Sequence, residues 1–159
     1  MRFYPDLLTA VVAAFVFSFE LPAQNDKIAV MHAAALFIKD SLPSGPVLLE
    51  LEGVPSTSAQ GDAVARSLNA TRGTTQGAIT CTVPDKDRKP PMTCSIQGNQ
   101  VLVEVLYPFV LGNRAQATVQ YTSEFRPGRV AVSLWELEFV RDSATGPWRV
   151  SKVLAREKS

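Results

Sequence analysis

The chain has 159 residues, 46% of them hydrophobic and 19% charged, with 16 lysines and arginines against 15 aspartates and glutamates. A formal charge of +1, spread along the chain, lacks the basic stripe of a nucleic-acid binder, so no nucleic-acid partner is expected. Two cysteines and one histidine are too few for a clustered zinc site, and neither a metal nor a cofactor is expected.

The N-terminal stretch MRFYPDLLTAVVAAFVFSFELPAQND places Arg2 before an uncharged run from Leu7 to Phe19, followed by Leu21-Pro22-Ala23-Gln24. A charged start, an apolar stretch of about 7 to 15 residues and a small-residue exit are the order of a secretory signal peptide. The run is shorter than the ~20 residues a helix needs to cross a bilayer. Residues 1–24 are therefore read as a signal peptide and 25–159 as one exported domain, periplasmic or secreted, with no stable membrane span after cleavage. A buried first helix and an uncleaved anchor are the alternatives. Loss of Arg2, Asp6 and Glu20 leaves the mature chain near neutrality, at a length close to the commonest domain size.

Asn25 to Leu42 predicts a helix, capped by Asn25 or Asp26 and stopped at Pro43. Ile28, Met31, Ala35 and Leu36 share one face and Val30, Ala34, Phe37 and Ile38 another, so the helix should be largely buried. Val47 to Glu52 reads as a strand closed by Gly53 and Pro55. A second, shorter helix from Ser58 to about Asn69 follows from a Thr57/Gln60 capping box and the Val64/Leu68 pair, with Gly61 as an internal weakness.

From Gly77 on, alternating β-branched, aromatic and polar residues predict strands near Ala78–Val83, Met92–Ile96, Gln100–Leu111, Ala115–Phe125, Arg129–Arg141 and Trp148–Arg156. The turns between them carry Gly98-Asn99, Gly112-Asn113, Pro127-Gly128 and the run Ser143 to Pro147. Ala117, Val119, Tyr121, Ser123 and Phe125 make one face mainly apolar, which one-sided burial against helices requires. Val101 to Leu111 is apolar on both faces apart from Glu104, which places it centrally, covered or beside a pocket. The expected fold class is α+β: an N-terminal helix and a second short helix packed on a curved antiparallel meander.

Cys81 and Cys94 flank a polar, proline-rich segment expected to be an exposed loop. Without C-x-x-C spacing or further ligands, a Cys81–Cys94 disulfide is the expected state, consistent with export, and two buried free thiols are the alternative. No G-x-x-x-x-G-K-[ST], G-x-G-x-x-G or H-E-x-x-H motif occurs. His32, inside the apolar helix, reads as a packing residue; Asn69-Ala70-Thr71 matches a glycosylation sequon. The candidate acids are Glu104, alone in an apolar strand, and Glu136 with Glu138, two apart on one strand face. Trp135, Trp148, Tyr107 and Tyr121 read as core aromatics, with a ligand-facing patch as the alternative.

The segments VLVEVLYPFVLGNRAQATVQYTSEF and WELEFVRDSATGPWRVSKVLARE, with Trp148 opening the last strand, resemble the tail of nuclear-transport-factor-2-like (NTF2-like) and other cystatin-like α+β domains. The resemblance, over about Asp26 to Arg156, implies a helix lying in a curved sheet, frequent homodimerisation through that sheet and frequently an apolar pocket. It transfers no catalytic residue by motif. Three functions are carried forward: a binding domain for a partner protein or small apolar ligand, an isomerase- or cyclase-like enzyme using Glu104 or the Glu136/Glu138 pair, and a structural or inter-subunit module.

Overall fold

The computed structural model describes residues 24–83 and 92–159. The proposed signal peptide, apart from Gln24, and residues 84–91, the segment expected from sequence to be an exposed loop, lie outside the described residues. Helix α1 runs over 24–38 and tightens into a single 3-10 turn at Lys39–Ser41. Strand β1 (Val47–Leu51), helix α2 (Ala59–Leu68) and strand β2 (Ala70–Arg72) follow. Strands β3 (Ile79–Thr82) and β4 (Thr93–Ile96) then precede β5 (Val101–Val105), β6 (Phe109–Leu111), β7 (Arg114–Arg126), β8 (Arg129–Val140) and β9 (Arg149–Lys158). The fold is α+β, as expected.

Among the described residues, seven strands form one sheet in the order β2-β1-β5-β7-β8-β9, with β6 also paired to β7. Most neighbours are antiparallel, and β7, β8 and β9 form the expected meander. The pairs β1–β2 and β1–β5, however, are parallel. The connection from β1 to β2 passes through α2, which supplies the length a parallel return needs and a two-residue turn cannot. The β3–β4 hairpin stands apart from the main sheet as a separate two-stranded ribbon.

The strand predicted over Gln100–Leu111 is broken. Leu106-Tyr107-Pro108 separates β5 from β6, because Pro108 has no N–H to donate to a ladder, and both pieces pair with β7. Helix α2 is capped by Ser58, whose Oγ accepts the Gly61 N–H at 3.2 Å; Thr57 does not take the predicted role. Gly61 is the place where Arg72 crosses the helix. A Cβ there would collide with the Arg72 guanidinium, which donates to the carbonyls of Val54 and Pro55 at 3.0 Å each.

The main core lies between the helices and one face of the sheet. Helix α1 contributes Ile28, Val30, Met31, Ala34, Ala35 and Ile38, while Leu36 and Phe37, expected to be buried, remain about two-fifths exposed. From the sheet come Leu49, Val103, Val105, Val119, Leu137 and Phe139, all fully buried. Trp135 and Trp148 are core residues, each with an arginine over its ring: Arg156 at 4.3 Å and Arg141 at 4.4 Å. Arg141 also grips Asp26 through two bonds, 2.6 and 2.9 Å, fixing the start of α1 against the sheet.

Residues of opposite parity face away from the helices. There Leu48, Leu102 and Val130 are covered by Ala78 and Ile96, from the segment leading into β3 and from β4. This second cover explains why β5 is apolar on both sides. The ribbon is anchored by Cys94 N–H donating to the Gly128 carbonyl at 3.0 Å. Cys81 and Cys94 are directly opposite one another and joined by a disulfide, and no free cysteine occurs among the described residues.

Candidate functional site

Two places combine chemistry with open space. The first grows from β5. Parallel pairing of β1 with β5 puts Glu50 in register with Glu104, and antiparallel pairing with β7 puts Gln120 on the other side. All three lie on the sheet face turned away from the helices, since Leu49, Leu51, Val103 and Val105 fill the opposite face. Buried Thr75 closes the group from above. Its hydroxyl is 2.8 Å from Glu50 Oε2 and in hydrogen-bond contact with Glu104 Oε1, and its N–H donates to Glu50 Oε2 at 2.6 Å. Gln120 Nε2 donates to Glu104 Oε2.

Two carboxylates side by side repel, and the amide, hydroxyl and backbone donors offset that repulsion. A cleft of about 320 Å³ opens beside them, lined by Glu50, Glu52, Thr75, Gln76 and Glu104. Glu104 therefore borders a cleft, but outside the helix-filled core. Glu136 and Glu138 share the outward face of β8, with Trp135, Leu137 and Phe139 turned inward. Glu136 lines a shallow recess with Tyr107, Phe109 and Thr118, whereas Glu138 accepts from Ser151 Oγ at 3.3 Å. Neither meets Glu104 in a common site, because register separates them: Glu104 is in line with Gln120, which pairs with Leu134.

The second place lies on the helix side. Helix α1 ends before the sheet does, and β7 and β8 continue past the 3-10 turn at Lys39–Ser41. The uncovered end of the sheet forms a cavity of about 400 Å³ lined by Pro43, Tyr121, Ser123, Phe125, Ala131 and Ser133, with Lys158 and Ser159 at its rim. Phe125 is 59% exposed, unusual for an aromatic on the core-facing side of a strand. A second cavity of about 310 Å³ shares Pro43, Ser123 and Phe125 and adds Asn99, Gln100, Glu124 and Arg126.

The alternation Ala117 to Phe125 foretold the apolar face, but Pro43 and Lys158 carried no signal, since only folding brings them to Tyr121. Of the four aromatics singled out from sequence, only Tyr121 lines this cavity. Tyr107 sits half-exposed at the far end, where Lys27 Nζ donates to its hydroxyl at 2.7 Å. His32 Nε2 is buried without a hydrogen-bond partner among the described residues and is distant in sequence from both sites. Among the described residues no group of three or more histidine, cysteine, aspartate or glutamate side chains is arranged to hold a metal ion. No described helix is long and apolar enough to cross a membrane. Comparison with protein families, with characterised proteins and with solved structures finds no match to this chain.

Proposed function

We propose that this chain is an extracytoplasmic α+β binding domain that holds a small apolar ligand at the open end of its sheet. The observation that carries this reading is the cavity of about 400 Å³ walled by Tyr121, Phe125, Pro43 and Ala131, at the size and polarity of small-molecule sites. The compartment is argued from the disulfide, which persists in oxidising surroundings, together with the leader-like first 24 residues. Asn25 bonds to Gln60, Asp26 to Arg141 and Lys27 to Tyr107, so a chain beginning at residue 25 keeps these three ties. The helix laid on a curved sheet, with Trp148 before the last strand, is what supports the NTF2-like resemblance.

Native mass spectrometry of protein recovered from its own compartment tests the proposal. A bound small molecule is expected, and it should be lost when Ala131→Phe fills the cavity. Protein free of any adduct, which also takes up no apolar probe, would overturn the ligand site. The same spectrum reads whether two copies associate through the sheet.

One observation favours a second reading, an acid–base enzyme of isomerase or cyclase type: Glu50 and Glu104 are bridged by Thr75 beside a cleft. Both Glu104 oxygens are already engaged, by Thr75 and Gln120, which favours a structural role for the pair. Retained ligand binding in a Glu104→Gln variant separates the two readings.

A further inference from the structure

We infer that the outer face of the sheet carries a separate binding site, a shallow recess between β6 and β9 that takes a neutral saccharide. It lies on the face opposite the end cavity and does not depend on it. In β7, Ala115, Ala117 and Val119 are buried on the helix side, so Gln116 and Thr118 point outward. Register carries that side across the neighbouring strands: Phe109 of β6 and Glu138 of β8 stand opposite Gln116, and Glu136 stands opposite Thr118. Side chains paired in this way start about 5 Å apart, and successive outward ones along a strand about 7 Å apart. The recess, of about 280 Å³, is floored by Gln116, Thr118 and Glu136, with Tyr107 and Phe109 walling one end and Leu154 of β9 the other.

Phe109 is 66% exposed and Tyr107 50%. Strand β6 gives its inward position to Val110, which packs on the core, and turns Phe109 out. Tyr107 is pinned where it stands. Its hydroxyl accepts from Lys27 Nζ at 2.7 Å, its N–H donates to Glu52 Oε2 at 2.7 Å, and its ring lies so near Gly53 that a Cβ there would be 2.9 Å away. An exposed ring already fixed in place loses little freedom when a ligand meets it. The floor offers an amide, a hydroxyl and a carboxylate, hence donors and acceptors side by side. A purely apolar ligand would strip water from these groups and leave them unpaired. Charge selects neither anion nor cation, because Glu136 and Glu138 are interspersed with Lys152, opposite Glu138, and with Arg114, opposite Leu111. A pyranose ring has both surfaces that the recess asks for: an apolar face of C–H groups for the aromatic rings, and hydroxyls on successive carbons that donate and accept.

Affinity electrophoresis of the mature, oxidised protein tests this, with gels containing hydroxyethylcellulose, laminarin or yeast mannan, and alginate as the anionic comparison. At least one neutral polymer should retard the protein, and salt should not abolish the effect. Titration calorimetry with the matching hexasaccharide should then show binding weakened about tenfold in Phe109→Ala, the scale of one aromatic contact, and several-fold in Glu136→Ala. Both side chains are exposed, so each variant should melt within about 2 °C of wild type. Phe125→Ala, at the end cavity, should bind the saccharide as wild type does. No retardation by any neutral polymer would overturn the inference and leave the end cavity standing. Retardation by alginate alone, or retardation that salt abolishes, would overturn the neutral class of ligand. Saccharide binding that survives both Phe109→Ala and Glu136→Ala would refute the assignment to this recess.

Discussion

Replacing both cysteines, Cys81→Ser with Cys94→Ser, should lower stability by about 3 kcal/mol. The bridge closes a loop with a sequence separation of 13. In the chain-entropy account a loop of that size confines the unfolded chain by roughly 10 cal/mol/K, or about 3 kcal/mol at room temperature. For a domain of this length, with an unfolding entropy near ~2 cal/mol/K per residue, the melting temperature should fall by about 10 °C. The loss has a local signature as well. The ribbon shields Leu48, Leu102 and Val130, and its tie to the β7–β8 turn is the Cys94–Gly128 hydrogen bond. Amide exchange should therefore accelerate first in β3, β4 and the outward side of β5, with β7 and β8 protected until global unfolding. Differential scanning calorimetry and hydrogen-exchange mass spectrometry, comparing wild type with the double variant, measure both effects. A drop below about 3 °C, or uniform acceleration across the sheet, would refute the view that this bridge holds the ribbon over the sheet.

Other substitutions probe the remaining joints. Gly61→Ala should destabilise by about 1–3 kcal/mol in urea titration, reversing the ~1 kcal/mol gain that helix propensity alone predicts, because the new methyl meets Arg72 and Val54. Arg141→Ala removes two bonds to Asp26 and the contact over Trp148; with Asp26 partly exposed, a cost of about 1–3 kcal/mol is expected, and Arg141→Lys should recover less than half. Thr75→Val should cost about 1–2 kcal/mol by chemical denaturation, since it deletes the hydroxyl shared by Glu50 and Glu104. Phe125→Ala should leave the melting temperature within about 2 °C but weaken probe uptake at least tenfold, because its ring is exposed and walls the cavity.

Part of the candidate chemistry was legible in individual residues. A lone acid in an apolar strand marked Glu104 as unusual, and it does border a cleft. The identity of its neighbours was not legible: Glu50 is 54 positions away and Thr75 lies in a connecting segment. The capping position of α2 was off by one residue because Ser58 and Thr57 offer the same hydroxyl, and only the path of the preceding turn decides which one reaches Gly61.

Local periodicity determined that the first half of this chain holds two helices and the second half strands, and it separated the apolar face of Ala117 to Phe125 from the wet one. Side-chain spacing along one segment suffices for that, since helix and strand repeats are properties of neighbouring residues. The pairing of the two cysteines was also implied by their number and the absence of other ligands. Tertiary structure alone decided that β1 lies parallel between β2 and β5, that Pro108 splits a continuous apolar run, that a ribbon covers the outer face, and that α1 stops short of the sheet's end. Those outcomes depend on which distant surfaces can bury one another, a condition set jointly by chain crossings and strand register that no single segment encodes.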